Sequence, residues 1–306
     1  MKQQIDRQIV PPATIGVVGL GLMGAACVER LRAAGFGVLG HDIDPRQAER
    51  IGLAPAERAD TLSRIAQECD AAVIAVFSTA QVKAVLEGPG GLAQARSLAA
   101  AAGPLTTICI STCDPDALAT MAAGLPRAQI AFVEMPVSGT SQQFVRGEAL
   151  GLLAANEADL ARVVPVIDAM VGKWHRVGGA GDGARAKLAI NLILGINRAA
   201  LAEGLVFAQR MGLDPSAFLA VARDSAAWSQ IMDVKGAKMI AGDFTPHGKV
   251  TQSLKDFTLM LDQAQRLGQQ LPLGETYAAL MRGCVEAGEA DLDNGAVIRE
   301  IGRRRR

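Results

Sequence analysis

The amino-acid sequence predicts an α/β fold in which a doubly wound, mostly parallel sheet is followed by an all-α second half. Three patterns support this fold class. A β-branched run leads into a glycine-rich turn at residues 14–24, strand and helix signals alternate as far as residue 177, and helical signals follow residue 181. We therefore expect two domains, residues 1–180 and 181–306, and a length of 306 residues is sufficient for both.

The first strand is predicted to lead into a phosphate-binding turn. The apolar run from Thr14 to Val18 is followed by a G-x-G-x-x-G pattern. Its glycines permit a tight turn, a close approach of the backbone to a ligand and close packing of the next helix, whose free amides can hold a pyrophosphate. The pattern predicts a Rossmann-like dinucleotide-binding domain. Its expected cofactor contacts are Gly19, Leu20, Gly21, Leu22, Met23 and Gly24.

The second strand, residues 36–41, ends at Asp42, about 20 residues beyond the glycine loop. A carboxylate at this position can accept hydrogen bonds from a ribose 2′-hydroxyl and would repel a 2′-phosphate. The alternative is a turn carboxylate, but Asp44 before Pro45 already provides a helix cap. We expect Asp42 to select NAD, with NADP possible if Arg46 reaches a phosphate.

The alternation continues through the rest of the first half. Strands are predicted at residues 71–77, 105–110, 129–134, 149–154 and 173–177, and helices at 79–87, 114–123 and 157–171. Spacing of this kind is typical of βαβ units in a parallel sheet.

A glycine cluster at residues 177–183 ends the strand signals, and a helix without proline follows from residue 184 to 210. Apolar residues surround the axis of this helix, so we expect it to be buried between domains or subunits. Further helices are predicted at 215–222, 229–240, 250–267, 273–287 and 296–301.

Composition argues against several classes of protein. Lysine plus arginine equals aspartate plus glutamate at 31 each, so no general basic field attracts nucleic acid, and the terminal Arg303–Arg306 run is expected to be a solvated tail. The polar first 12 residues cannot form the apolar core of a signal peptide, and the most apolar run is interrupted by Asn191. Five cysteines and three histidines lack metal-ligand spacing. We expect a cytoplasmic protein with no metal and no membrane or nucleic-acid partner.

Two clusters are candidates for substrate chemistry. Lys187 and Asn191 lie four residues apart near the start of the long helix, on one face. A buried lysine has a lowered pKa suited to proton transfer, although a snorkelling lysine explains the same pattern equally well. Ser138, Gly139 and Thr140 follow a strand, where they form either a capped turn or a loop that holds a carboxylate.

Two further motifs are ambiguous on their own. Thr112 follows Ser111 at the expected carboxyl end of a strand, where ligands gather, but helix capping also explains this stretch. Lys255 precedes Asp256 in a later helix, where such a pair is ordinarily solvated.

Taken in order, these motifs resemble the β-hydroxyacid dehydrogenase family, to which 3-hydroxyisobutyrate dehydrogenase and tartronate semialdehyde reductase belong. The resemblance runs from about Thr14 to Asn294. It implies NAD(P)-dependent interconversion of a small β-hydroxy acid and its semialdehyde, in a homodimer or homotetramer. By this resemblance Lys187 is the catalytic acid/base, Ser138, Gly139 and Asn191 contact substrate, and Thr112 and Lys255 contact cofactor.

The chain departs from the family pattern at several positions. Gly248, preceded by His247, replaces a common aromatic residue of the pocket, Thr140 replaces a glycine, and Phe77-Ser78 replaces a Leu-Pro beside the cofactor. His247 or Arg146 could therefore meet an additional polar or anionic group on the substrate. The alternatives are an imine-type reductase or an oxidative decarboxylase on the same scaffold, or a non-catalytic dinucleotide-binding protein.

Overall fold

A computed structural model describes residues 8–98 and 103–304. The chain forms two compact units, Met1–Lys187 and Leu188–Arg306. The bounds expected from the sequence, 1–180 and 181–306, assign the whole long helix to the second domain, and they stay a prediction.

The first unit is built on an eight-stranded sheet. Its strands are β1 Thr14–Val18, β2 Gly37–His41, β3 Ala71–Ile74, β4 Leu105–Cys109, β5 Ile130–Glu134, β6 Val137–Ser138, β7 Leu150–Ala154 and β8 Lys173–Gly178. The spatial order is β2-β1-β3-β4-β5-β7-β6, with β8 beside β7. Strands β1 to β5 are mutually parallel, whereas β7 runs antiparallel to β5 and β6. The predicted, mostly parallel, doubly wound sheet is confirmed.

Helices cover both faces of this sheet. They are α1 Leu22–Ala33, α2 Arg46–Arg50, α3 Leu62–Glu68, α4 Thr79–Glu87, α5 Leu92–Leu98, α6 Pro115–Gly124, α7 Ser141–Val145 and α8 Glu157–Met170. Val17 belongs to one apolar cluster and its neighbour Val18 to the other. Since successive strand residues point to opposite faces, the two clusters lie on opposite sides of the sheet.

Some elements differ from the sequence expectation. The seven-residue helices α3 and α5 were not predicted, because neither is long enough to display two full turns of apolar periodicity. Strand β3 ends at Ile74 rather than at Phe77. The chain turns early there because Ser78 accepts a hydrogen bond from the amide of Gln81 and thereby caps α4.

The second unit is helical, as predicted. Helix α9, Asp182–Arg210, begins in the first unit and continues into the second. It is followed by α10 Pro215–Asp224, a π-helical turn Met232–Gly236, α11 Ala237–Ala241, α12 Val250–Arg266, α13 Pro272–Glu286 and α14 Val297–Arg303. Leu201, Met232, Phe257 and Tyr277 belong to the apolar core of this unit.

Helix α9 is only partly buried within the single chain. Ile193 is 61% exposed and Phe207 is 63% exposed in the single chain, so the expected burial between domains or subunits is incomplete within one chain and, for subunits, stays a prediction. By length and composition alone α9 could cross a membrane, which is weak evidence of a span because core helices pass the same test. Charged side chains such as Lys187 and Arg198 lie within it, and such groups are costly in a bilayer.

The C-terminal arginines differ from the expected solvated tail. Arg303 closes α14 and forms ion pairs with Glu289 at 2.8 Å and with Glu300 at 2.9 Å. Arg304 pairs with Glu300 at 3.0 Å, whereas Arg305 and Arg306 lie outside the described residues. At the other end, Met1–Arg7 also lie outside them.

A buried ion pair joins two segments of the second unit. The ammonium group of Lys235, in the π-helical turn, lies 2.6 Å and 2.7 Å from the two carboxylate oxygens of Asp293. The side chains are only 3% and 2% exposed. Burial lowers the pKa of Lys235 to about 8, while the charge of Asp293 opposes this shift. Removal of either partner would therefore leave a charge unpaired in the interior.

We expect Lys235→Met to lower the free energy of unfolding by about 3–5 kcal/mol, since it strands the carboxylate of Asp293. The matched control is Lys249→Met, because Lys249 pairs with Asp291 at a site where the side chains are 43% and 84% exposed. That exposed pair should contribute less than about 1 kcal/mol. Urea denaturation of both variants tests the difference, and equal losses would contradict the importance of the buried pair.

Candidate active site

The predicted cofactor residues of the first unit gather at one edge of the sheet. The glycine loop follows β1, Asp42 follows β2, Phe77 lies beyond β3, and Thr112 lies beyond β4. These four strands are parallel, so their carboxyl ends meet at the same edge, where open α/β sheets bind ligands.

The glycine loop has room for a ligand at one position and none at two others. A methyl group on Gly24 would collide with the carbonyl oxygen of Gly19, and Gly19 itself has a φ of +88°. A methyl group on Gly21 would instead meet nothing within 4 Å. Gly21 also precedes the first residue of α1, whose amides are free at this end. The loop therefore fits the pyrophosphate of a dinucleotide, with Gly21 at the position of closest approach.

Asp42 is held against the glycine loop. Its Oδ2 accepts a hydrogen bond from the amide of Leu20 at 2.7 Å, and its Oδ1 accepts one from the amide of Asp44 at 2.9 Å. Arg46 forms a bidentate pair with Asp44 at 2.8 Å and 3.0 Å. In this arrangement Arg46 is engaged by a carboxylate, and Asp42 contacts the loop directly through the Leu20 amide.

Hydrogen bonds connect the segments that follow β3 and β4. The Ser111 hydroxyl donates a hydrogen bond to the carbonyl oxygen of Val76 at 2.7 Å, and the amide of Asp114 donates one to the Thr79 hydroxyl at 2.9 Å. Beside these contacts Phe77 is 44% exposed and Thr112 is 8% exposed. The exposed ring and the buried threonine thus lie on two joined loops at the ligand edge.

The Ser138 loop begins as a strand and ends as a helix cap. Ser138 pairs with Leu150 of β7, and Gly139 has a φ of +146° that side chains rarely adopt. The Thr140 hydroxyl accepts a hydrogen bond from the amide of Gln143, and the Thr140 amide donates one to the side-chain oxygen of Gln143. Threonine in place of glycine is therefore explained by capping of α7, and this hydroxyl is already occupied.

Arg146, considered for an anionic substrate group, is also engaged. Its guanidinium forms two hydrogen bonds with the carboxylate of Glu148, at 2.7 Å and 2.9 Å.

Lys187 lies in the second turn of α9 and is 7% exposed. Glu134, which the sequence presents only as the end of a strand, is fully buried in the same unit. Its carboxyl group accepts a hydrogen bond from the amide of Gly181 at 2.7 Å, just before α9 begins. A charged residue that ends an apolar strand was the signal for this contact, although its partner could not be identified from spacing.

In the second unit, Asn191 and the Lys-Asp pair form one hydrogen-bonded group. The Asn191 side-chain amide donates to Oδ2 of Asp256 at 2.8 Å, and Lys255 lies 2.8 Å from Oδ1 of the same carboxylate. Asp256 is 6% exposed. The ordinary interpretation of a solvated pair is thus wrong, and the contact of Asp256 with Asn191 is one that sequence reasoning did not predict.

His247 lies on a loop that Asp293 holds in place. Oδ2 of Asp293 accepts the His247 amide hydrogen at 2.9 Å, and the carbonyl oxygen of Gly248 accepts the Asn294 amide hydrogen at 2.8 Å. The imidazole is half-buried, and burial lowers the pKa of His247, with the nearby charges of Lys238 and Lys235 adding to the effect. The ring is therefore a neutral hydrogen-bonding group at pH 7.

Titratable side chains do not cluster as metal ligands in the described parts of the chain. Among residues 8–98 and 103–304, histidine, cysteine, aspartate and glutamate form no group of three that could hold a metal ion. The five cysteines are free and buried.

Both halves of the chain match known sequence families. A family model described as the NAD binding domain of 6-phosphogluconate dehydrogenase matches residues 14–179. A second, described as NAD-binding of NADP-dependent 3-hydroxyisobutyrate dehydrogenase, matches residues 181–301.

Curated relatives match over almost their whole length. The L-threonate dehydrogenase of Escherichia coli K12 is 30% identical, and the match covers 93% of each chain. The 2-hydroxy-3-oxopropionate reductase of the same organism is also 30% identical, with 94% of this chain and 96% of the relative covered. A crystal structure of 3-hydroxyisobutyrate dehydrogenase from Salmonella typhimurium is 28% identical, with a TM-score of 0.83, and the match covers 94% and 99% of the two chains.

We expect Gly21→Ala to weaken NADH binding by at least about tenfold, since its methyl group would occupy the space left for the pyrophosphate. Its melting temperature should stay near that of the wild type, because the methyl group meets no protein atom within 4 Å. Gly24→Ala is the comparison, since it should lower the melting temperature through its collision with Gly19. Fluorescence titration with NADH and thermal unfolding test both effects. Wild-type NADH affinity in Gly21→Ala would be inconsistent with this placement.

The ordered motifs, the Rossmann-like first unit, the helical second unit and the extent of the matches agree with one another. They support a nicotinamide dinucleotide cofactor and hydride transfer between this cofactor and a hydroxy acid or the corresponding semialdehyde. The chain belongs to the β-hydroxyacid dehydrogenase family of NAD(P)-dependent oxidoreductases.

Proposed function

We propose that Lys187 is the general acid/base of this dehydrogenase and that its substrate is a small β-hydroxy acid bearing a further hydroxyl group, or the matching semialdehyde. The main observation in support is the burial of Lys187 at 7% exposure one turn beyond Gly183, the spacing that carries the family resemblance. Proton transfer by a side chain positioned at the reacting oxygen contributes roughly 100-fold or more to rate.

Hydride transfer, proton transfer and substrate binding are assigned to different groups. The nicotinamide cofactor, when bound, supplies the hydride chemistry. Neutral Lys187 accepts the hydroxyl proton during oxidation, and its ammonium form donates that proton back during reduction. Ser138 and the backbone at Gly139 hold the substrate carboxylate, and Asn191 orients the reacting oxygen. The Asn191 amide is itself oriented by Asp256 at 2.8 Å, which fixes which of its atoms faces the substrate.

The cofactor residues also have separate tasks. Gly19, Leu20, Gly21, Leu22, Met23 and Gly24 surround the pyrophosphate. Asp42 accepts hydrogen bonds from the adenosine ribose, Phe77 and Thr112 border the nicotinamide side, and Lys255, aligned by Asp256, contacts the cofactor. The preference for NAD is supported by the Asp42 carboxylate beside the loop and by the pairing of Arg46 with Asp44.

The proposed substrate class rests on the His247 loop. Neutral imidazole, unlike a cation, is suited to a hydroxyl group rather than to a second carboxylate. Gly248 has no side chain where relatives commonly carry an aromatic residue, and its backbone lies close to the polar side chain of Asn294. Thr140 is a weaker candidate for substrate contact, because its hydroxyl caps α7. L-threonate, the substrate named for one relative, carries such additional hydroxyl groups.

The assembly and location of the protein are proposed from its exposed apolar residues, its cysteines and its charge. We propose a homodimer or homotetramer, in which a second copy covers the apolar surface of α9 around Ile193 and Phe207. Free, buried cysteines support a reducing cytoplasmic location. We propose no nucleic-acid or membrane partner, in line with equal numbers of acidic and basic residues.

An imine-type reductase is a less well supported alternative, since a lysine at position 187 is suited to exchanging a proton with an alcohol oxygen.

The function is tested with NAD(H) and NADP(H) on a panel of L-threonate, 3-hydroxyisobutyrate and 2-hydroxy-3-oxopropionate, with Lys187→Ala as the blank. We expect Lys187→Ala to lower turnover by at least roughly 100-fold while NADH binding survives, since only proton transfer is lost. Lys83→Ala, at an exposed lysine of α4, is the control and should retain wild-type turnover. Full turnover in Lys187→Ala would remove the assignment of the acid/base.

Cofactor preference is tested with Asp42→Ala. Loss of the carboxylate should raise kcat/KM with NADP relative to NAD by on the order of tenfold, equivalent to about 1.4 kcal/mol of relieved repulsion of the 2′-phosphate. Asp60→Ala removes an exposed carboxylate of the same unit and should leave the ratio unchanged. A wild-type enzyme that already favours NADPH would contradict the role given to Asp42.

A further inference from the structure

Glu134 is a buried acid at a junction of the first unit. It is the last residue of β5, where it pairs with Cys109 of β4 and with Ala154 of β7. Its exposed fraction is 0%. The chain continues directly into the Ser138–Gly139 loop, so the position of Glu134 is coupled to that of the proposed carboxylate-binding residues.

The carboxyl group of Glu134 contacts the start of α9. Oε2 accepts the Gly181 amide hydrogen at 2.7 Å, and the nearby amides of Gly183 and Ala184 also favour the charged form of this carboxyl group. Amides at a helix start have no partners within the helix, and the helix dipole favours a negative charge there. Glu134 therefore holds the residue just before α9 and lies against Gly183 in the first turn of the helix that carries Lys187.

Gly183 permits this contact. A methyl group built on Gly183 would lie 2.9 Å from Cδ and 3.0 Å from Oε1 of Glu134, too close for both to keep their places. Lys187 follows Gly183 by four residues, about one helical turn. The rotation and depth of that turn thus depend on how closely Gly183 approaches the carboxyl group.

We propose that Glu134 is the positioning residue of the reaction: its carboxylate anchors the first turn of α9 to the end of β5 and so fixes Lys187 with respect to Ser138 and Gly139. This inference rests on the proposed role of Lys187. Glu134 acts through that residue and touches neither substrate nor cofactor.

The anchor changes its charge near neutral pH. Burial raises the pKa of Glu134 to about 7, the amides of Gly181, Ala184 and Gly183 oppose the rise, and the charge of Asp182 adds to it. The raised pKa agrees with the surroundings of Oε1, which is buried and makes no hydrogen bond within the described residues. The ionised carboxylate binds amide donors more strongly than the neutral acid does. The anchor is consequently strongest above about pH 7.

Other titratable groups around Glu134 are accounted for. On α9, Asp182 is paired with Arg185 at 2.8 Å, and Arg185 also pairs with Asp116 of α6. On β4, contact with Cys113 and burial raise the pKa of the Cys109 thiol, which stays neutral. Strand β7 contributes Ala154 at the paired position. The pKa values of Asp182, Arg185 and Cys109 are all shifted away from neutrality, so Glu134 is the group here whose shift leads toward pH 7.

The sign of the pH effect separates Glu134 from Lys187. During reduction Lys187 must be protonated, so its own titration lowers kcat only as the pH rises. Protonation of Glu134 weakens the anchor, so it lowers kcat as the pH falls through about 7. Reduction of 2-hydroxy-3-oxopropionate by NADH should therefore follow a bell-shaped profile, with the acid limb due to Glu134.

Stability should move in the opposite sense. The pKa of Glu134 is raised in the folded chain above its ordinary value of 4.5, so ionisation of this group costs stability as the pH rises from 4.5 to about 7. Glu134→Gln lacks that cost. The melting temperature of Glu134→Gln minus that of the wild type should therefore become more positive as the pH rises through this window.

The test compares Glu134→Gln, Glu134→Asp and Gly183→Ala with the control Asp182→Asn. Asp182 also accepts an amide hydrogen near this helix start, from Gly179 at 3.0 Å, but its side chain is 42% exposed. We expect Glu134→Gln to lose kcat by about tenfold to 100-fold, the range expected for a misplacement of about 1 Å, and to lose the acid limb while its NADH affinity is retained. Gly183→Ala should show a similar loss of kcat, Glu134→Asp should restore part of the acid limb, and Asp182→Asn should keep the wild-type profile.

A second measurement does not depend on substrate. Hydrogen exchange of the amides of residues 181–184 should be faster in Glu134→Gln than in the wild type, and unchanged at residues 183 and 184 in Asp182→Asn. Wild-type kcat with an intact acid limb in Glu134→Gln, or unchanged exchange in the same variant, overturns the proposal. If Glu134→Gln does not fold, the acid limb of Glu134→Asp and the kcat of Gly183→Ala decide the question in the same way. Activity in Lys187→Ala would instead refute the proposed function.

Discussion

The arrangement of the first unit depends on a close approach between two stretches of backbone. Helix α1 packs on β1 so tightly that a single methyl group on Gly24 would collide with the carbonyl oxygen of Gly19. This approach directs the amides at the start of α1 toward the carboxyl ends of the parallel strands. The neighbouring loops carry Asp42, Phe77 and Thr112 to the same edge. Without that contact, the other proposed cofactor residues would surround a loop of different shape.

Much of this architecture is readable from local sequence patterns. The strand, glycine loop and helix at residues 14–33 follow from short-range rules, as do the Asp114 cap of α6 and the helical second half. Short helices such as α3 are missed by sequence prediction because they bury few residues and show little periodicity. The exposure of Ile193 is also missed, because hydropathy alone cannot distinguish burial within a chain from burial against another copy.

The residues proposed to act in catalysis and binding divide along a similar line. Lys187, Asn191 and Ser138 stand in motifs whose order carries the family resemblance, so their candidacy precedes any coordinates. Glu134, Asp256 and Asp293 act on partners between 46 and 65 residues away, and no local pattern predicts such pairings. Each of them holds a backbone or side-chain donor in place. Supporting groups of this kind are decided by tertiary structure, which is why sequence motifs locate reactive groups better than the groups that orient them.

The five cysteines are buried, and the pKa values of Cys27 and Cys284 are raised to about 12 chiefly by burial. Because the thiolate is the reactive form, alkylating reagents can modify these side chains only when the surrounding structure opens. Cys27 lies in α1 of the first unit and Cys284 in α13 of the second. Their rates of alkylation therefore report separately on the opening of each unit, without any dye or engineered label.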